Sequence, residues 1–442
     1  MFEKEGIFKS QVSSIHFVNK YLKKCKRKGI NTGVSPLCDF VTWTNCLGYE
    51  KLLLLKNNKI LSINFLKFYF IELLAIGKNS EYLKFTSKIK NKNKINVIYS
   101  YCRKENFSKN GDFYDGYYNQ SAKSIKNTYW FLISLDNYVP KQSKNIFLIY
   151  KKKKFFDIIY LFKFILKNIF KKNFLHKCNN TTNFSEIMSK HFYKTFNKLK
   201  FNLYLPYESR PNQNAIIDAA RKISKKNKIF GYLHYLPQPF QLDMIYKAKY
   251  VDKLYVCSKI QKEVLSKYFY WPKNKINTID SLKFSSLKKR RNFIFLPYDI
   301  NNKSFYLERL KYLLQSKNVL TNNIEISIHP LKKKNYTHIN FKKKINKILK
   351  ELKHRNFKNN HACPIILGSP GGVIAECLQT VGEAYHISDN VFDFFSEKIW
   401  RNIKMTKIAE NIYKYTTTKK SNFININSKK NNFKKLLDLN KI

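Results

Sequence analysis

The 442-residue sequence predicts an α/β protein made of two doubly wound halves that face each other across a cleft. Three observations lead there. The chain is too long for one ordinary core and suits two domains. With 44% hydrophobic residues, each half can bury a core of its own. From residue 201 onward, strand-like apolar runs alternate with helical patterns in two successive series. The polar stretch Ser285–Arg291 (SSLKKRR) separates the two series as a hinge or linker.

The first 200 residues contain the strand-like runs Lys94–Tyr101, Thr128–Leu135 and Asn145–Tyr150 among helical material. In the first regular series, Phe201–Tyr207, Ile229–His234, Asp252–Cys257 and Ile276–Ile279 read as strands. Asn214–Lys226 and Lys259–Tyr268 read as the helices between them. In the second series the strands are Phe293–Pro297, Ile324–Ile328, Pro364–Leu367 and Ala384–Ile387. Its helices are Ser304–Gln315, Lys342–Lys353 and Gly372–Gln379. Such alternation implies parallel sheets covered by helices on both faces. Residues 1–284 and 292–420 are therefore expected to form two Rossmann-like domains, followed by a basic polar tail over 421–442. Ligands of such sheets bind beyond the carboxyl ends of the strands. No G-x-G-x-x-G follows a first strand and no Walker loop is present, which argues against a dinucleotide oxidoreductase or a P-loop enzyme.

The net charge is +55, from 84 Lys+Arg against 29 Asp+Glu. Nine of the basic residues are Arg, leaving 84 − 9 = 75 Lys. Lys, Asn, Ile, Phe and Tyr are all abundant, as an AT-rich coding sequence would make them, while base-reading proteins favour Arg. The charge is therefore read chiefly as codon bias, and nucleic acid is not the expected partner. An attraction to anionic lipid or nucleotide remains. The eight cysteines form no C-x-x-C pair and no zinc-like spacing. With no apolar h-region over Met1–Ser10, the expectation is a cytoplasmic protein. Phe155–Phe170 places Asp157, Lys163, Lys167 and Asn168 on one side of a helix and Phe, Ile and Leu on the other, with lysines before and after. That pattern suits either a helix packed on a domain core or one lying on the inner face of an anionic membrane.

Nine of the eleven prolines lie between Pro206 and Pro370, and four of the twelve glycines between Gly368 and Gly382. In a composition that disfavours both, this marks backbone under geometric constraint. Three strand ends in that stretch carry candidate chemistry. Glu208 leaves a strand just before a helix and can serve as general base or as a capping carboxylate. His329, in His329-Pro330, ends a strand where an imidazole could meet a phosphate oxygen. Gly368-Ser369-Pro370-Gly371-Gly372 runs into a helix whose free N–H groups suit an anion. Ser369 adds a hydroxyl there, and Glu376, one turn in, suits a ribose or sugar hydroxyl. His234 ends a further strand, as an acceptor-side or a structural residue.

In this order, Glu208-x-x-Pro211, Gly231-Tyr232-x-His234, Asp252-Lys253-x-Tyr255-Val256, His329-Pro330 and Gly368-Ser369 followed by Ala375-Glu376, the chain resembles bacterial surface-carbohydrate biosynthesis proteins. These are GT-B-like relatives of bacterial sialyltransferases, polysialyltransferases and capsule Kdo transferases. The resemblance spans roughly residues 201–390. It implies a metal-independent glycosyltransferase of GT-B architecture, with an interdomain cleft and a nucleotide sugar as co-substrate rather than a bound cofactor. The implied donor is a CMP-activated sialic acid or Kdo-like sugar, and the acceptor a surface polysaccharide or lipopolysaccharide. Glu208 would be the base, with His329 and Ser369 on the donor phosphate. Two departures stand against the CMP donor: Glu208-Ser209-Arg210 replaces two acids before a glycine, and Ser369-Pro370 replaces a serine pair. The alternatives are a sugar-nucleotide epimerase on the same fold, or a basic non-enzymatic nucleic-acid-binding or assembly protein.

Overall fold

The computed structural model describes residues 4–40, 52, 55–57, 63–78, 82–86, 89, 95–125, 127–141, 145–151, 156–171, 173–283, 287, 292–316, 324–329, 332–353, 363–368, 372–418, 423–426 and 432–438. Helices α1 (Lys4–Arg27) and α2 (Ile63–Lys78) precede the first sheet. Its strands are β1 (Tyr82–Thr86), β2 (Ile95–Cys102), β5 (Thr128–Ser134), β6 (Ile146–Lys151), β7 (Phe201–Pro206), β8 (Lys228–Tyr232), β9 (Lys253–Val256) and β10 (Ile276–Thr278). A separate ribbon pairs β3 (Tyr114–Asp115) with β4 (Gln120–Ser121).

The strand order is β1-β6-β5-β2-β7-β8-β9-β10. β1 is antiparallel to β6, and the other seven strands run parallel. By chain order those seven stand third, second, first, fourth, fifth, sixth and seventh. That is the doubly wound dinucleotide-fold order, and the direction of winding reverses between β2 and β7. A strand covered on both faces must be apolar throughout, and every residue of β5 (TYWFLIS) is buried.

The second sheet has the order β12-β11-β13-β14-β16-β15. β11 (Phe293–Phe295), β12 (Glu325–Ser327), β13 (Ile365–Leu367) and β14 (Glu383–Ile387) are parallel, and the hairpin of β15 (Ile403–Ala409) and β16 (Ile412–Thr417) extends the sheet antiparallel. Two doubly wound parallel sheets are thus present, as the alternating pattern predicts. The hairpin has no counterpart in the sequence reading, because β15 (IKMTKIA) points lysines outward at the sheet edge and carries little apolar signal. Of the expected linker Ser285–Arg291, all but Leu287 lies outside the described residues.

The halves are tied together by segments from both chain ends. On α1, Gln11 is buried and its Nε2 donates to the carbonyls of Val391 (3.0 Å) and Phe394 (2.8 Å) in the second half. At the other end, the Asn425 N–H donates to the Cys257 carbonyl at 2.7 Å. The following helix, Asn432–Asp438, buries Phe433 against Tyr118 with ring centroids 4.6 Å apart. The described part of 421–442, read from sequence as a basic polar tail, therefore packs back on the first sheet.

The segment 155–170 forms α3 (Ile158–Ile169), capped by the Asp157 carboxylate, which accepts from the Tyr160 N–H at 2.8 Å. The polar side expected from the sequence is split: Lys163 and Lys167 are exposed, but its Asn168 end turns inward and most of the apolar side is exposed. Asn168 is buried and donates to the Phe164 carbonyl at 2.8 Å, while Ile158, Ile159, Phe162, Leu166 and Ile169 are exposed. Phe164 and Asn168 face α2 and the segment around Cys178, so the neighbours choose a face that the apolar stripe alone would not.

Candidate functional site

The winding of the first sheet reverses between β2 and β7, and the segment that follows β7 is Tyr207-Glu208-Ser209-Arg210. Ser209 adopts φ 59°, a left-handed conformation that costs a non-glycine residue about 1 kcal/mol. The surroundings hold it there. Asn214 Nδ2 donates to the Ser209 carbonyl (3.0 Å) and to the Gly33 carbonyl (2.9 Å). Gln213 Oε1 accepts from the N–H groups of Glu208 (2.9 Å) and Arg210 (3.1 Å), and Gln213 Nε2 donates to the Pro206 carbonyl at 2.6 Å. This tightly tied turn brings the side chains on either side of Ser209 together. Pro211 then starts the helix Pro211–Ile223, where the absence of an N–H costs nothing.

Both carboxylate oxygens of Glu208 are engaged. Oε1 lies 3.1 Å from His234 Nε2, just beyond β8, and Oε2 lies 3.4 Å from Arg210 Nε. Arg210 also reaches Asp39 Oδ2 at 3.6 Å. The Tyr117 ring meets the His234 ring edge-on at 4.5 Å. Asn212 Nδ2 donates to the hydroxyls of Tyr99 (2.6 Å) and Tyr101 (3.1 Å) on β2. Residues from β2, β7, β8 and the Asp39 loop thus converge on one edge of the sheet.

Burial dominates the electrostatics. It raises the Glu208 pKa above the ordinary carboxylate value, opposed by the Arg210 and Lys283 charges and assisted by Asp39. Burial, then the Lys283 and Arg210 charges, hold His234 well below its usual value, so it is a neutral imidazole. Nε2–H then donates to Glu208, which fixes the carboxylate without neutralising it. Asp243 is pushed up to about 7, by burial first, with Arg210 opposing and Asp39 and Glu208 adding repulsion. One arginine therefore stands among three acidic groups, and burial raises the pKa of two of them, Glu208 and Asp243.

In the second half, His329 and Gly368 end β12 and β13, but these strands are not neighbours. β11 lies between them, and its own extension Pro297-Tyr298 touches both residues. The Tyr298 ring meets His329 edge-on at 5.0 Å. Burial and nearby lysines, Lys332 first, lower the His329 pKa. Gly368 has φ +66°, and a Cβ there would stand 2.8 Å from Pro297 Cβ and 2.9 Å from the Tyr306 hydroxyl. Gly372 has φ +105°, and a Cβ there would stand 3.0 Å from Leu236 Cβ, two residues past His234. Gly372, at the start of the helix Val373–Thr380, thus lies directly against the segment that follows β8. Ser369, Pro370 and Gly371 lie outside the described residues. Glu376 sits half-buried one turn into the helix Val373–Thr380.

The residues that sequence reading missed are Asp39, Arg210, Asp243, Lys283 and the tyrosines of β2. A signal existed for Arg210: it is one of nine arginines in a lysine-rich chain. His386 was also missed, and it braces the glycine turn. It is fully buried on β14, and its Nε2 lies 2.7 Å from the Gly368 carbonyl. Burial depresses its pKa from 6.5 to about 4. A group whose folded value is depressed stabilises the fold above its unfolded value and loses that contribution as pH falls toward the folded one. Acidification from pH 6.5 to 5 should therefore remove about 2 kcal/mol through this residue. Urea unfolding at both pH values should show that share missing in His386→Gln; an unchanged pH dependence would exclude it. Among the described residues, no group of three or more His, Cys, Asp or Glu is arranged to hold a metal ion.

No family model and no curated protein matches the sequence. Among solved structures, similarity extends to a glycosyltransferase from Rickettsia africae (13% identity, 67% of this chain and 79% of that one, TM-score 0.30). It extends also to a UDP-GlcNAc 2-epimerase from Neisseria meningitidis (12% identity, 67% and 84%, TM-score 0.33), solved with UDP-GlcNAc bound. At these scores the fold class rests on the strand order of the two sheets. That order defines a two-domain α/β protein with a polar site at the carboxyl edge of the first sheet.

Proposed function

We propose that the protein is a nucleotide-sugar glycosyltransferase, with Glu208 as the general base that deprotonates an acceptor hydroxyl and the second half as the donor side. The observation that carries this reading is the close approach of Gly372 to Leu236, which sets the helix start of the second half against the segment just past His234, itself 3.1 Å from Glu208.

In this reading the acceptor, a glycan or glycolipid, lies over the β2–β7 edge, where His234 and Arg210 fix the two oxygens of the base. The donor phosphate lies between His329 and the N–H groups after the glycine turn. In sequence that segment is Gly368, Ser369, Pro370, Gly371 and Gly372, and Glu376 meets a hydroxyl of the donor. A CMP-linked sugar is the first donor to test, in line with the resemblance of the motif order.

Calorimetry with CMP, UDP and GDP tests the donor side. One nucleotide is expected to bind, and His329→Ala to weaken it roughly tenfold, the loss of one charge-assisted hydrogen bond. Equal affinity in the variant would remove His329 from the site, and binding of none of the three would overturn the donor assignment. Incubation with the sugar nucleotide but no acceptor separates transfer from epimerisation, since only an epimerase would interconvert the sugar under those conditions.

A further inference from the structure

Eleven of the seventeen exposed large apolar side chains among the described residues lie on or beside α2 and α3, three within Leu66–Ile71 and eight within Phe156–Leu175. Three are on α2: Leu66 (53% exposed), Phe70 (63%) and Ile71 (54%). On α3, Ile158, Ile159, Phe162, Leu166 and Ile169 are all roughly half exposed or more, and Phe170 at its end is 91% exposed. At ~100° per residue, these α3 positions span about 120° of the helix circumference. The two helices pack on each other beside a small core of Ile76, Phe164 and Cys178. A helix of a globular domain normally turns such an arc inward, so this face is built to be covered.

We infer that the α2–α3 face docks on an anionic lipid bilayer, with α3 lying in the plane of the interface. Charge selects this occupant. Lys163 and Lys167 are exposed and follow the apolar arc around the helix, and Lys171 is exposed just past its end. From residue 158 to residue 185 the sequence has five lysines and no acidic residue, and Lys151–Lys154 lead into the helix. Of the nearest acids, Asp157 caps α3, Glu72 accepts from the Thr181 N–H and hydroxyl, and Glu186 is exposed near Tyr160, a single acid against the lysines of this face. A second copy of the chain seated here by two-fold symmetry would set these lysines against their own kind. A bilayer with anionic headgroups accepts both the apolar arc and the lysines whose stems lie along it. No helix among the described residues is long and apolar enough to cross a membrane, so the association expected is peripheral.

The inference is independent of the sugar-transfer reading, and its test uses the full chain without substrate. Co-sedimentation is measured with phosphatidylcholine vesicles and with vesicles that include phosphatidylglycerol, at low and high salt. The parent protein should pellet with the anionic vesicles, and salt should release it. Lys163→Gln, Lys167→Gln and Lys171→Gln together should cut partitioning roughly 100-fold, at about fivefold per lysine. Phe162→Glu with Leu166→Glu should abolish pelleting while leaving the thermal midpoint unchanged, since both residues are exposed. Equal pelleting with neutral vesicles, pelleting with neither, or a concentration-dependent dimer lost in the Phe162→Glu, Leu166→Glu variant without vesicle binding would each overturn it.

Discussion

Glu208→Gln is expected to lower turnover by about 10²–10⁴-fold, the usual contribution of a general base, while nucleotide affinity stays near the parent value. Glutamine keeps the length of the side chain and still offers an oxygen to the His234 Nε2–H, 3.1 Å away in the parent. It cannot accept the proton. The pH profile supplies a second readout. Burial holds the Glu208 pKa above the ordinary carboxylate value, so the acidic limb of kcat/KM should fall at higher pH than a solvent-exposed glutamate would give. In the proposed mechanism His234 orients the base and takes no proton itself, so His234→Gln should lower kcat less and leave that limb in place. If Glu208→Gln turns over at the parent rate, the carboxylate is structural: its contacts with His234 and Arg210 would then serve to anchor the turn.

Arg210→Met is expected to destabilise the fold by about 3 kcal/mol at neutral pH, because removing one partner of a buried ion pair leaves the other uncompensated. The Arg210 guanidinium stands 3.4 Å from Glu208 and 3.6 Å from Asp39, and its charge also opposes the rise of Asp243. Without it, the folded pKa values of Glu208 and Asp243 rise further above their unfolded values. A group raised in this way stabilises the fold below its unfolded value and loses that contribution as pH rises through the folded one. The deficit of Arg210→Met should therefore be larger at pH 8 than at pH 6, measured as the urea midpoint. Adding Asp39→Asn should recover part of it. A deficit that does not change with pH would mean that Arg210 contributes packing rather than charge.

The fold was legible because each level of the sequence agreed with the next. Continuous apolar runs such as Thr128–Leu135 and Phe201–Tyr207 read as strands covered on both sides, and the helical patterns that alternate with the later ones imply parallel connections. Glu208, His234, His329 and the glycine turn were legible as strand ends. In parallel sheets the strand ends are where side chains are free to meet a ligand.

What the sequence could not carry is which strand ends meet. Pairing β2 with β7 is a long-range choice, and it alone brings Tyr99, Tyr101 and Asn212 to Glu208. Asp39 comes from a loop far away in sequence and sits beside Arg210 only in the folded chain. His329 and Gly368 end successive strands of the second series, yet β11 separates them, because strand order is set by packing and not by succession. The outward face of α3 is the plainest case. Periodicity located the helix and its apolar stripe, but only contact with α2 decided that Phe164 and Asn168 would be buried and Phe162 and Leu166 left outside.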